Sequence, residues 1–177
     1  MPQDKKYHIR PLREVSVPAI AHVVENMREM DRKEIFGLRW SDDPMALVDD
    51  CMRRPGLDYM FFLEGIPVAI VGAKFDRPHV ASVYMFATDN FPKIGKMMTK
   101  FIIRVIIPAL VESGVHRAHC IAHADYHEVH KWLEGLGATK ETTHTAFGRS
   151  GDDYVQYVWI VVDRERKYVF RRKRTPR

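Results

Sequence analysis

The sequence predicts an α/β domain built around a mixed sheet. Three observations predict it. Strand-like runs recur at residues 7–12, 59–63, 66–75, 80–87, 115–122, 139–147 and 154–162. Helix-period stretches with start and stop signals lie between them. The order is strand, helices, three strands, helix, strand, helix, two strands, with no repeat and no low-complexity linker.

Residues 7–12 alternate as a short strand that ends near Pro11. Ser16 can cap the next helix, with Pro18 in its first turn. Over residues 19–30, Ile20, Val23, Val24 and Met27 fall on one stripe, and 31–36 continues helically after a bend until Gly37 stops it. Asp43-Pro44 opens a third helix with Ala46, Leu47, Cys51 and Met52 mostly inward. Residues 59–63, the turn Glu64-Gly65 and residues 66–75 form a hairpin pattern, which makes Glu64 a turn residue. Pro67 comes early in the second strand, where a missing donor is easier to tolerate. After the turn 76–79 comes the strand 80–87. Residues 91–113 read mainly as helix, with Pro92 in the first turn and Gly114 as the stop. Pro108 predicts a kink or break at 104–108. The strand 115–122 shows Ala118, Cys120 and Ala122 on one face, so a helix can lie close against it. The helix 127–136 ends at Gly137. Two strands, 139–147 and 154–162, follow, joined by the turn 148–153.

The 177 residues fit one domain, which we bound at 1–163, followed by a basic extension at 164–177. An apolar content of 46% excludes a disordered chain. Cys51 and Cys120 form no disulfide framework and read as reduced, buried thiols, which suits the cytoplasm. The polar start predicts no secretory leader. The longest apolar run, 101–111, is about half a membrane span and contains Arg104 and Pro108, so no membrane span is expected. The net charge of +5 is uneven: residues 164–177 carry +7 and the remainder −2. Such an end can bind nucleic acid or an acidic partner by counterion release, or serve as a solubilising terminus.

The residues that invite chemistry begin with Phe91-Pro-Lys-Ile-Gly-Lys-Met-Met98. A helix start leaves about four N–H groups unpaired and carries a positive end. Gly95 lets a bulky anion approach, and Lys93 and Lys96 add charge that suits a diphosphate. The other reading is an ordinary cap from Asp89 or Asn90. His119 and His123 share a strand face, and an imidazole has the free pKa of a base. Tyr84 can donate a proton, although strand tyrosines more often pack with their hydroxyl satisfied. His116, His119, His123, His127 and His130 crowd together, but Cys120 points opposite to His119 and His123 on a regular strand, so no metal site is expected. The methionines read as core gap-fillers. Trp132, Tyr154, Tyr157 and Trp159 read as core, with a cleft wall or a homodimer surface as the other use.

The helix start after a strand, followed later by Trp132-Leu-Glu and Leu136-Gly137-Ala138, resembles the GCN5-related N-acetyltransferase family. The resemblance covers much of residues 8–162. Asn26-Met-Arg-Glu-Met-Asp31 and the Trp-Leu-Glu pattern look most like divergent acetyltransferase-like proteins encoded by tailed bacteriophages. The resemblance implies a mostly antiparallel central sheet flanked by helices. It also implies acetyl-CoA or another acyl-CoA as co-substrate and an amine acceptor. It places the coenzyme along Phe86, Ala87, Lys93, Ile94, Gly95, Lys96, Met97 and Met98, with backbone donors at Phe86 and Ala87 on the thioester. Tyr126 is its candidate for the family's proton-donating tyrosine. The sequence also departs from the family. No Arg or Gln opens the diphosphate motif, Met97 replaces its second small residue, and Trp132 or Leu133 stands where the family carries tyrosine. These departures keep a second expectation open: a catalytically inactive member of the fold that binds a host or virion protein.

Overall fold

The computed structural model of the chain describes residues 6–53 and 56–161. The basic extension at 164–177 lies outside the described residues. Its strands are β1 (Tyr7–Pro11), β2 (Tyr59–Leu63), β3 (Ile66–Arg77), β4 (Val80–Ala87), β5 (Arg117–His123), β6 (Thr139–His144) and β7 (Tyr154–Ile160). They form one seven-stranded sheet in the order β1-β2-β3-β4-β5-β7-β6. Every neighbouring pair is antiparallel except β4 and β5. The mixed, mostly antiparallel sheet is therefore as the sequence predicts. Glu64 sits in the β2–β3 turn with a positive φ of 52°.

The helices are α1 (Val17–Glu25), α2 (Glu29–Gly37), α3 (Pro44–Arg53), α4 (Phe91–Phe101), α5 (Ile107–Glu112) and α6 (His127–Gly135). On one sheet face, Ile20, Val23, Leu47 and Val48 pack on Met60, Phe62, Ile70 and Phe86. On the other, Ile94, Met98, Ile102, Ile106 and Leu110 pack on Phe61, Val68, Ala73 and Ala81. Because β2 is covered on both faces, it reads as a continuous apolar run rather than an alternating one. Each fully buried large side chain contributes about 1.5–3 kcal/mol. Cys120, Val129, Trp132 and Leu133 meet Ala122, so α6 lies against the small-residue face of β5. Tyr154 and Tyr157 are buried, while Trp132 and Trp159 are half-buried and packed on the core. Neither Cys51 nor Cys120 is in a disulfide; the first is buried and the second half-buried.

The predicted break before Pro108 is a π-helical segment, Ile102–Ile106. Ile107 N–H donates five residues back to the Ile102 carbonyl. Pro108 then occupies the first turn of α5, directly after the π-helical segment.

One expected helix is divided. The stripe over 19–30 predicts continuity, but α1 ends at Glu25 and Asn26 N–H bonds the His22 carbonyl. Met27 instead bridges Thr88, and Arg28 N–H donates to the Ala87 carbonyl at 2.8 Å. The end of β4 captures the chain between the helices, and α2 then starts anew. Its far end meets Tyr154: a Cβ on Gly37 would collide with the Tyr154 hydroxyl. Gly37→Ala is expected to destabilise the protein by about 1–3 kcal/mol through overpacking. Adding Tyr154→Phe should recover part of that loss in thermal melts.

Candidate functional site

β4 and β5 are paired only from Val80–Ser82 to Arg117–His119. Beyond that they part, because β3 holds β4 as far as Ala87 while β7 holds β5 as far as His123. The result is a V-shaped split with two facing strand edges. Main-chain groups on such edges need other partners.

At the wide end, α2 supplies them. Asp31 Oδ2 accepts Ala87 N–H at 2.8 Å, and Glu34 Oε2 accepts His123 N–H at 2.8 Å. The two carboxylates lie one turn apart on one helical face. Asp31 is only 2% exposed. Arg28 grips it with a fork, Nε to Oδ2 at 3.0 Å and Nη2 to Oδ1 at 2.9 Å, and the Tyr126 hydroxyl donates to Oδ1 at 2.8 Å. Burial pushes the Asp31 pKa up, against the opposing pull of Arg28, Tyr126 O–H and Ala87 N–H. The Arg28 guanidinium also lies 4.4 Å over the Phe91 ring centre and 5.9 Å from that of Tyr126. Its Nη2 reaches Met85 Sδ at 3.9 Å. Arg28 therefore touches β4, the start of α4 and the residue before α6.

Glu34 is less committed. Burial raises its carboxyl to about 8, only partly offset by the His123 N–H. Among the described residues its second oxygen has no protein donor. Met85, two residues before Ala87, presents its main chain to the same edge of β4 by strand alternation.

The start of α4 is satisfied internally. Phe91 N–H donates to the Thr88 carbonyl at 2.9 Å and Lys93 N–H to the Asn90 carbonyl at 3.1 Å. Pro92 has no N–H. Lys93 Nζ bonds Asn90 Oδ1 at 2.8 Å. A Cβ on Gly95 would meet the Phe91 ring at an ordinary 3.5 Å, so a side chain rather than an anion lies against this glycine. Further along, Trp132 Nε1 donates to Thr99 Oγ1 at 3.0 Å, and Thr99 donates to the Gly95 carbonyl at 2.8 Å. Trp132 thus ties α6 to α4.

The structure separates the residues that the sequence suggested. Tyr126 stands in the split, and Ala87 lines it with its N–H already bound to Asp31. Phe86 is 1% exposed and faces the α1–α3 core. Ile94 and Met98 are core residues as well, and Met97 packs beside them. Lys93 and Lys96 are exposed on α4. His119 lies opposite Ser82, where the strands are still joined, with Nε2 3.6 Å from Asp76. His123 is 1% exposed; its Nδ1 accepts the Asp125 N–H, and Nε2 lies 3.5 Å from Asp152. Neither imidazole lines the split. Tyr84 donates to Asp58 at 2.8 Å, away from the split. His130 spends its ring nitrogens on Tyr157 and on the carbonyls of His123 and Ala124. Among the described residues, no group of three or more His, Cys, Asp or Glu could hold a metal ion.

Arg28, Asp31 and Glu34 escaped the sequence reading. Their signal is a three-residue spacing of charges on a helix with little apolar content.

This architecture is like that of N-acetyltransferases of known structure. The ribosomal-protein-S18-alanine N-acetyltransferase from Escherichia coli superposes with a TM-score of 0.66 at 17% identity, over 92% of this chain and 99% of that one. Ard1 from Thermoplasma volcanium gives 0.69 at 14% identity, over 90% and 100% of the two chains. The ribosomal L7/L12 alpha-N-protein acetyltransferase in complex with coenzyme A gives 0.69 at 11% identity, over 90% and 96%. At these identities the likeness defines the fold. None of the three is named as a bacteriophage protein. No protein-family model and no curated protein matches the sequence. Among the described residues, no helix is long and apolar enough to cross a membrane.

The Glu34 shift has a consequence for stability. A carboxyl raised from 4.5 to about 8 in the folded chain stabilises it most below pH 4.5, and that contribution is lost as pH rises to about 8. Glu34→Gln is expected to remove this part of the decline, read from denaturation midpoints at successive pH values.

Proposed function

We propose that the chain is an acyl-CoA-dependent N-acyltransferase that moves an acetyl group to an amine in a ternary complex. The observation that carries this reading is the parted β4/β5 edge with the Glu34 carboxyl at its wide end. The acyl-CoA supplies an activated thioester. The Met85 main-chain N–H is the donor on the parted edge of β4 that can hold a carbonyl oxygen. Glu34, with its pKa at about 8, suits the task of taking the proton an attacking amine sheds as the C–N bond forms and the C–S bond breaks, coenzyme A leaving as its thiolate. The Tyr126 proton is directed at Asp31, which gives this tyrosine a positioning role rather than that of proton donor. The residues present fit the thioester end of an acyl-CoA. They do not fit the diphosphate end, because the first N–H groups of α4 are taken, and no step is drawn through it. Two of the structural neighbours above, the ribosomal-protein-S18-alanine N-acetyltransferase and the ribosomal L7/L12 alpha-N-protein acetyltransferase, are named for protein amines, which makes a polypeptide acceptor the natural first substrate to try.

A second reading is favoured by the closed start of α4 and the Trp132–Thr99 tie. In it the fold persists without a working coenzyme site and binds a host or virion protein, as the sequence resemblance to phage-encoded chains suggests.

Calorimetry with acetyl-CoA and with free coenzyme A separates the two readings. Under the enzymatic reading, saturable heat is expected with both. Glu34→Gln should leave that affinity unchanged and lower kcat/KM at pH 8 by about a hundredfold. Wild-type kcat/KM should rise with pH to a plateau past about 8. Silence with both ligands in a folded protein, including one relieved of Arg28, would sink the enzymatic reading and leave the second.

A further inference from the structure

We propose that Arg28 is a latch, an internal occupant of the β4/β5 split that an acyl thioester must displace. This rests on the acyl-CoA reading above. Five contacts place the latch. Arg28 N–H holds the Ala87 carbonyl, and its guanidinium forks onto Asp31, stacks on Phe91, approaches Tyr126 and touches Met85 Sδ. Asp31 completes the closure by taking the Ala87 N–H. The polar edge that β4 would offer to a ligand is thus covered by the chain's own residues.

The closure is made of parts that can leave together. The Arg28 side chain is 17% exposed, so part of it reaches solvent. It is anchored by the turn between α1 and α2 rather than from within a helix. A swing of this side chain uncovers Met85, Phe91 and Tyr126 at once, without moving a strand. Asp31 keeps the Tyr126 hydroxyl and the Ala87 N–H meanwhile.

Ligand affinity in such a system is reduced by the fraction of molecules that are open. A latch closed in about nine molecules of ten weakens apparent binding about tenfold. Removing Arg28 alone strands a buried carboxylate, so the test uses Arg28→Ala with Asp31→Asn. Arg28→Lys is the second variant; it keeps a cation for Asp31 but loses the fork and the planar stack. Circular dichroism establishes that each is folded. Amide hydrogen exchange then reads Met85, and calorimetry reads acetyl-CoA.

Faster exchange at the Met85 amide, with acetyl-CoA bound about tenfold more tightly by the double variant and a few-fold more tightly by Arg28→Lys, is expected. Faster exchange with unchanged affinity overturns the latch and leaves the acyl-CoA reading standing. Unchanged exchange overturns the latch whatever the ligand does. Faster exchange with no binding by either wild type or variant overturns the acyl-CoA reading, and the inhibitory role of Arg28 with it.

Discussion

Two parallel strands that pair for three residues and then separate create the constraint on which this structure depends. Each strand is fixed on its outer side, so the facing edges cannot close. Their main-chain groups must find partners from outside the sheet. α2 meets that need with Asp31 on one edge and Glu34 on the other. The cost is a pair of partly dehydrated carboxyl groups. Arg28 and Tyr126 offset it at Asp31, where removing one partner of such a buried pair typically costs about 3–5 kcal/mol. Among the described residues Glu34 accepts one hydrogen bond, from the His123 N–H, and burial holds its proton to about pH 8.

The position of α2 is transmitted further. Gly37 allows the Tyr154 hydroxyl to approach the helix end, and the Gly37 carbonyl accepts Arg149 N–H at 2.8 Å. Lys33 and His123 both approach Asp152, each at 3.5 Å. The β6–β7 loop is therefore strapped to the helix that spans the split. The wide end of the cleft is a bonded assembly of α2, the ends of β4 and β5, and this loop.

The two ends of the cleft differ in kind. At the wide end the groups are polar and titratable, and one carboxyl oxygen is uncommitted. Near α4 the first turn closes on itself through Thr88 and Asn90, and Phe91 lies against Gly95. The helix dipole remains, but the N–H groups that would deliver it to an anion are occupied. A glycine at the right spacing does not make a phosphate cradle when the preceding residues are already helical.

The residues themselves determined the hairpin, β4, the helix start at Phe91, the break before Pro108 and the helix against β5. Each rests on a local signal: apolar period, Gly or Pro punctuation, or a run of small residues. Tertiary structure decided the division of the first helix and the whole of the site. Asp31 meets Ala87 across 56 positions, and Glu34 meets His123 across 89. Periodicity carries no information at that range. A charged residue on a short polar helix reads as solvated until the fold brings an unpaired strand edge to it. The same long-range geometry removed His119, His123 and Tyr84 from the split, because their faces and partners were set by the sheet rather than by neighbours in sequence.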